Sequence, residues 1–186
     1  MEFRLTYSGK LKSKSSTKAK VTQELRRAFH PQLKVLWDQV PLSDVKNYVK
    51  PGQPESRDDG LLVTQIGEFH FASLVSDRWS MIAEIDILFL RPSPPGALVG
   101  HGGDLDNRIK TLMDGLRVPS QSEIPKGDKP GEGELPFFCL LQDDALVTSL
   151  AVRTDRLLQL RSESEVELVI HVNAKPTRRV WGNIGL

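Results

Sequence analysis

The sequence predicts a single α+β domain in which helices pack against a mixed β-sheet. Several segments alternate apolar and polar residues, as strands do, whereas two others repeat apolar residues at the spacing of a helix. The length of 186 residues is enough for one domain with a substantial core. We therefore treat residues 1–186 as one domain and take its elements in order.

The N-terminal section predicts a strand, a loop and a helix. Residues 3–7 alternate and end at Ser-Gly, and a lysine- and serine-rich loop follows over 10–20. Residues 22–39 repeat apolar residues at helical spacing, but Pro31 lies inside the repeat. Because a proline removes a helical hydrogen bond, we expect either two short helices or a break near His30.

The middle of the chain predicts three strands. Residues 61–66 and 69–74 flank Gly-Glu, a plausible hairpin connection. Residues 79–90 are long and rich in β-formers, and the residues of one face should point to the core: Met81, Ala83, Ile85, Ile87 and Phe89. Glu84 and Asp86 lie on the other face, either as exposed strand residues or as extra metal ligands.

The next segment predicts a short amphipathic helix that begins with acids. Its apolar residues follow one helical face: Leu105, Ile109, Leu112, Met113 and Leu116. Asp104 is a candidate N-cap, and Asp106, Lys110 and Asp114 follow at intervals of four. These charges fit i,i+4 pairs on a solvated face. Alternatively, Asp104 and Asp106 converge, which requires Asp104 to lie at the cap or on the incoming segment.

The C-terminal part predicts an insertion followed by strands. Pro119 ends the helix, and residues 119–136 are rich in proline, glycine and polar residues, which indicates a flexible insertion. The chain resumes with the apolar residues 137–141, and Asp143-Asp144 follows them. Strands are expected over about 146–154 and 166–172.

Charge is distributed unevenly along the chain. Residues 1–35 carry a charge of +7, so the remainder carries −6 to give the net charge of +1. A basic section over about 1–40 fits either a polyanion-binding surface or a solvated loop and helix face. On the first interpretation, the residues predicted to contact the phosphates of a polyanion are Lys10, Lys12, Lys14, Lys18, Lys20, Arg26 and Arg27, with Arg178 and Arg179 as further candidates.

Several classes of protein are disfavoured. No apolar run approaches the 18 or so residues that cross a membrane, and no secretory signal is visible, so we expect a cytoplasmic protein. The single cysteine, Cys139, excludes an intrachain disulfide and is expected to be a small apolar residue. Neither a zinc-binding spacing nor a phosphate-binding glycine loop occurs.

Three acids could provide a magnesium site. Asp104, Asp106 and one of Asp143 and Asp144 offer hard oxygen ligands from two distant segments. Magnesium bound in this way assists phosphodiester hydrolysis, and Lys110, one turn after Asp106, could stabilise developing negative charge. Composition and spacing permit this chemistry without demanding it.

The same residues resemble a known motif. Asp104-Leu105-Asp106-Asn107, then Lys110, Asp114-Gly115-Leu116 and later Asp143-Asp144-Ala145, resemble the RusA-like Holliday-junction resolvases over about residues 80–155. The chain departs from that family in having Gly115 where alanine is usual, a long insertion before Asp143 and an extended N-terminus.

The resemblance implies a homodimeric, magnesium-dependent endodeoxyribonuclease of DNA recombination and repair, encoded by a bacterium or a phage. It implies that Asp104, Asp106 and Asp144 bind Mg²⁺, with Mn²⁺ as an alternative, that Lys110 is catalytic and that branched DNA is the substrate. Asp143 could share the role of Asp144. Two other functions stay open: a non-catalytic nucleic-acid-binding relative, and a magnesium-dependent phosphoesterase with a smaller substrate.

Overall fold

The structure, a computed structural model, describes residues 1–11, 18–50, 62–92, 105–159, 162, 164–180, 183 and 185. This part of the chain forms an α+β domain, as predicted. Its strands and α-helices are β1 (Glu2–Lys10), α1 (Lys18–Trp37), β2 (Val63–Ile66), β3 (Phe69–Val75), β4 (Met81–Arg91), α2 (Leu105–Leu116), β5 (Phe137–Leu141), β6 (Val147–Arg156) and β7 (Glu165–Pro176). A 3-10 helix covers Leu42–Val49. No helix of these residues is both long and apolar enough to span a bilayer.

The strands form two mixed sheets. The larger has the order β1-β7-β4-β6, in which β7 is antiparallel to both of its neighbours and β6 is parallel to β4. The smaller has the order β2-β3-β5, with an antiparallel and then a parallel pair. The chain reaches β6 from β4 through α2 and β5, a crossover of the kind that parallel neighbours require.

The predicted pattern of β4 is confirmed. Every second residue from Met81 to Phe89 is buried, whereas Glu84 and Asp86 lie on the opposite face. The predicted hairpin is also confirmed, because β2 and β3 pair on either side of a turn in which Gly67 has a φ of +61°. Only glycine adopts that conformation readily.

The expected break near His30 is wrong, because α1 is one helix that continues through Pro31. Residues on both sides of the proline are buried in the same core, including Phe29 and Leu33. A helix proline costs about 3 kcal/mol, and burial of this apolar stripe offsets that cost.

The insertion over 119–136, expected to be flexible, is anchored to α1. Arg27 donates hydrogen bonds to Asp128 and Glu134 at 3.0 Å, and Lys34 donates to the carbonyl of Gly133. A capping box closes the turn at its start, where the Glu123 carboxylate accepts from the Ser120 N–H at 2.7 Å. These bonds explain why a segment rich in glycine and proline takes up a defined path.

Candidate functional site

The start of α2 presents two of the predicted site residues to solvent. Asp106 lies in the first turn and Lys110 one turn later, and both are exposed. The buried stripe of Ile109, Leu112 and Leu116 holds the helix against the core, so this charged face points outward. Asp104 lies outside the described residues, so its predicted role stays a prediction.

Asp144 is presented by a short 3-10 helix over Asp144–Leu146. Asp143 caps that helix, because its Oδ1 accepts a hydrogen bond from the N–H of Ala145 at 2.9 Å. The preceding Gln142 is fixed in place, since its Oε1 accepts from the Ser76 hydroxyl at 2.7 Å. Asp143 therefore has a structural task, and Asp144 is the better candidate for a metal ligand.

Within one chain, Asp106 and Asp144 lie at opposite ends of β4. Asp144 precedes β6, whose first residue Val147 pairs with Ala83 near the start of β4. At the other end, Leu157 donates a backbone hydrogen bond to Arg91 at 2.8 Å. Ala83 and Arg91 are eight residues apart along β4, which corresponds to about 26 Å in a strand.

Two further observations place Asp106 at the Arg91 end. Arg108 lies one turn or less from Asp106, and burial together with the nearby positive charge of Arg91 lowers the pKa of Arg108. Asp106 is also about 16 Å along the helix axis from Arg117. Arg117 in turn pairs with Leu141, three residues before Asp144. The two carboxylates therefore do not converge in a single chain.

The described residues hold no cluster of three or more histidine, cysteine or acidic side chains arranged to bind a metal. The chemistry of the donors fits magnesium, which commonly uses one or two protein carboxylates. Their placement does not fit a complete site within one chain. Glu84 does not supply the missing ligand, because it pairs with Lys175 at 2.6 Å, and Asp86 pairs with Arg153 at 2.9 Å.

Asp114 is not on a solvated face, which corrects one interpretation of the helix. Its side chain is only 8% exposed and forms ion pairs with Lys18 at 2.7 Å and Arg117 at 3.0 Å. Arg117 also binds Glu123 at 2.7 Å. Burial acts to raise the pKa of Glu123, but the hydrogen bonds from Arg117 and Ser120 outweigh it and hold the pKa at about 2.

Arg26 must be removed from the predicted phosphate contacts. It is 1% exposed, and its guanidinium donates to the carbonyl of Asp114 at 2.7 Å and to that of Arg117 at 3.1 Å. Its side chain also donates to Gln23. Arg26 therefore satisfies carbonyls at the C-terminal end of α2, and it lowers the cost of burying them.

The other basic residues of the predicted DNA surface differ in availability. Lys10 and Lys20 are exposed, whereas Lys18 pairs with Asp114 and Arg27 pairs with two acids of the insertion. Lys12 and Lys14 lie outside the described residues.

His30 is a structural residue that the sequence did not single out. Its Nδ1 accepts from the N–H of Phe138 at 2.9 Å, so the ring proton is on Nε2, which donates to the Gly133 carbonyl at 3.1 Å. Burial lowers the pKa of His30, which favours this neutral form. Cys139 is buried nearby in β5, and burial raises the pKa of its thiol to about 12. Burial and the raised pKa both keep the Cys139 side chain in its thiol form.

The chain was compared with protein-family models, with curated proteins and with solved structures, and no match was found.

Proposed function

We propose that this chain is a magnesium-dependent endodeoxyribonuclease of the RusA-like kind, which cleaves branched DNA such as four-way junctions. One observation carries the proposal: α2 exposes Asp106 and Lys110 on one outward face directly after Asp104. This is the arrangement that the motif resemblance requires of its acid and lysine. The bacterial cytoplasm would be its place of action, whether a bacterium or a phage encodes it.

The residues proposed to hold the metal are Asp104, Asp106 and Asp144. When bound, magnesium supplies charge neutralisation at the scissile phosphate and makes a water molecule more acidic. Lys110 would place a positive charge one helical turn from Asp106, where it can stabilise the negative charge of the transition state. Asp143 keeps its capping hydrogen bond and positions Asp144.

The proposed active form is a homodimer. Because one chain holds Asp106 and Asp144 at opposite ends of β4, the partner chain must supply the second carboxylate. A two-fold dimer would then contain two equivalent sites. Two symmetric sites suit a four-way junction, which needs two symmetric cuts for resolution.

Phosphate contacts would come from exposed lysines at the end of β1 and in the first turn of α1. Lys10 and Lys20 are exposed, and Lys20 has no ion-pair partner among the described residues. Lysine contacts to phosphates position a protein on DNA without reading its bases. Binding should therefore depend on DNA shape and on salt more than on sequence.

The test is a nicking assay on a synthetic four-way junction with magnesium. We expect paired nicks with the native protein and loss of at least 100-fold in rate for Asp106→Asn and Asp144→Asn, on the scale of losing electrostatic stabilisation. Asp44→Asn is a matched control, because Asp44 is exposed and remote in sequence from both segments. Equal activity of all four proteins, or no nicking by any, would reject the proposal.

A second candidate is a non-catalytic protein that binds nucleic acid. The separation of Asp106 from Asp144 within one chain favours it, since a monomer would lack a complete metal site. Salt-sensitive binding to branched DNA that is unchanged by removal of magnesium, with no nicking at any protein concentration, would select this function.

A further inference from the structure

A cavity of about 310 Å³ lies between α1 and the insertion. Sites for small molecules have volumes of about 300–1,000 Å³, so the cavity can hold a small ligand. Residues 20–27 of α1 form one wall, and the turn over 125–128 forms the other. A hydrogen bond of 3.0 Å from the Asp128 N–H to the Pro125 carbonyl closes this turn. Neither Asp106 nor Asp144 lines the cavity, so it is distinct from the proposed metal site.

Gln23 provides a buried hydrogen-bond donor in the cavity wall. It is 1% exposed, and its Oε1 accepts a hydrogen bond from Arg26 at 3.1 Å. A guanidinium group only donates, so this bond fixes the orientation of the Gln23 amide. The other branch, Nε2, is buried and has no hydrogen-bond partner among the described residues. An unsatisfied buried N–H destabilises a fold, and a ligand oxygen at this position would satisfy it.

Asp128 provides an acceptor next to this donor. Its Oδ1 accepts from Arg27 at 3.0 Å, whereas its Oδ2 is buried and has no hydrogen-bond partner within the described part of the chain. Arg27 follows Gln23 by four residues, so the two side chains are neighbours on one face of α1. Because Asp128 is bonded to Arg27, it lies beside Gln23 as well. One ligand group that carries both an acceptor and a donor can therefore bind both residues.

The rim of the cavity carries more positive than negative charge. Lys20 and Lys126 line it and are exposed, and Glu24 is the exposed acid beside them. The charge of Arg27 is already matched by two acids of the insertion. The rim therefore favours an anionic ligand over a cationic one.

We propose that this cavity binds inorganic phosphate or a phosphate monoester that retains a P–O–H group. The phosphate oxygens accept hydrogen bonds from Gln23 Nε2 and from the two lysines, and the P–O–H donates to Asp128 Oδ2. A phosphate monoester loses its last proton with a pKa of about 6, so it combines negative charge, acceptors and a donor in one group near neutral pH. The inference does not depend on the proposed nuclease function.

Asp128 should make the site selective among anions. A carboxylate only accepts hydrogen bonds, so it repels an anion that has no proton to donate. Sulfate has the shape of phosphate but no proton near neutral pH, and a phosphodiester also has none. Both should therefore bind poorly, which distinguishes this site from ordinary contacts to the DNA backbone.

Calorimetric titration of the full chain with phosphate and with sulfate, at about pH 6 and equal ionic strength, tests the proposal. We expect sulfate to bind at least tenfold more weakly, the scale of one hydrogen bond to a charged group. Equal affinities for the two anions, or no binding of phosphate, would overturn the proposal.

Two substitutions separate the roles of the acceptor and the donor. Asp128→Asn keeps an oxygen for Arg27 but replaces Oδ2 by an N–H donor, so the ratio of phosphate to sulfate affinity should fall to about one or below. Gln23→Leu removes a donor that both anions use, so both should bind several-fold more weakly at an unchanged ratio. An unchanged ratio in Asp128→Asn would contradict the proposed contact.

A pair of lysine variants controls for general charge effects. Lys126→Gln removes a charge from the rim and should weaken phosphate binding at least threefold. Lys129→Gln removes the same charge from the same insertion, but Lys129 does not line the cavity and pairs with Glu68 at 2.9 Å. It should leave phosphate binding unchanged. Equal losses in the two variants would show attraction by net charge alone and would overturn the site.

Two sources of phosphate are distinguished by comparing inorganic phosphate with ribose 5-phosphate. Tighter binding of ribose 5-phosphate would identify an ester whose organic part fills the cavity, and tighter binding of inorganic phosphate would identify the free ion. Dimethyl phosphate, a diester, should not bind, and its binding as tightly as phosphate would reject the role of the P–O–H. These titrations need neither DNA nor magnesium, so the phosphate site and the nuclease can each fail while the other stands.

Discussion

Gly115 of α2 lies directly against Leu25 of α1: a Cβ added to the glycine would be 2.7 Å from the Cβ of Leu25. Both residues are buried where the two helices cross. The departure from alanine at this position of the motif therefore has a physical reason, since the helices approach too closely for a methyl group. The same contact places α2 relative to α1.

We predict that Gly115→Ala destabilises the fold despite the better helix propensity of alanine. Overpacking a helix contact costs about 1–3 kcal/mol, whereas the propensity gain is at most about 1 kcal/mol. Urea unfolding should show a lower midpoint at unchanged slope. In a double-mutant cycle, Leu25→Gly, which removes the clashing Cβ itself, should remove most of the effect of the Gly115 substitution. Additive losses would show that Leu25 is not the obstacle.

His30 should make the stability of the fold depend on pH. Its pKa in the folded chain is below the ordinary value of 6.5, so the unfolded chain binds more protons once the pH falls below about 6.5. The free energy of unfolding should therefore be constant above that pH and decrease below it, by up to about 1.4 kcal/mol per pH unit.

The control for this titration is His30→Asn, which keeps a hydrogen-bond acceptor and has no proton to gain in this range. We expect it to be less stable at pH 7 but to lose less stability between pH 6.5 and 5. Parallel pH profiles for the two proteins would assign the acid sensitivity to another group.

Substitutions of Arg26 and Lys20 should have different effects, the first on the stability of the fold and the second on DNA binding. Arg26→Ala leaves two buried carbonyls without their donor and should cost about 2–4 kcal/mol of unfolding free energy. Lys20→Ala should change the free energy of unfolding by less than about 0.5 kcal/mol. It should also reduce the slope of log K for DNA binding against log salt concentration by about one. A large loss of stability in Lys20→Ala, with an unchanged salt slope, would contradict these roles.

The ion pairs of Arg27 should limit the access of proteases to the insertion. Arg27→Gln removes the ion pairs to Asp128 and Glu134, which join the insertion to α1. Limited trypsin digestion should then cut after Lys126 several-fold faster, since this lysine is exposed and is followed by Gly127. Lys20→Gln, on the same helix, serves as the control with an unchanged cleavage rate.

Local sequence patterns predicted helices and strands correctly where the pattern corresponds to one buried face of the element. The alternation of Met81 to Phe89 and the helical stripe of Leu105 to Leu116 each describe one buried face, and both faces were found as predicted. The break at Pro31 was not found, because the packing of both halves of α1 in one core outweighs a local preference.

Long-range pairing was beyond the sequence. Arg26 and Arg27 are neighbours in a basic run, yet one is buried under α2 and the other binds the insertion. Only their contacts with distant parts of the chain distinguish these two arginines. The capping pattern of Ser120 to Glu123 was a usable sign that the insertion begins with an ordered turn. The separation of Asp106 from Asp144 depends on the parallel register of β4 and β6, which no local pattern encodes.

The central claim is that Asp106 of one chain and Asp144 of another form one metal site. Its most direct test is complementation between Asp106→Asn and Asp144→Asn in a junction-nicking assay with magnesium. Each variant alone should be inactive. In a mixture allowed to exchange subunits, every mixed dimer should contain one intact and one doubly altered site.

We therefore predict that an equimolar mixture recovers about a quarter of the native nicking rate, since half of randomly exchanged dimers would be mixed and each would have one intact site. The readout is single nicks, because paired cuts need both sites. No recovery in a mixture shown to contain mixed dimers, when native protein is active, would contradict a site shared between two chains.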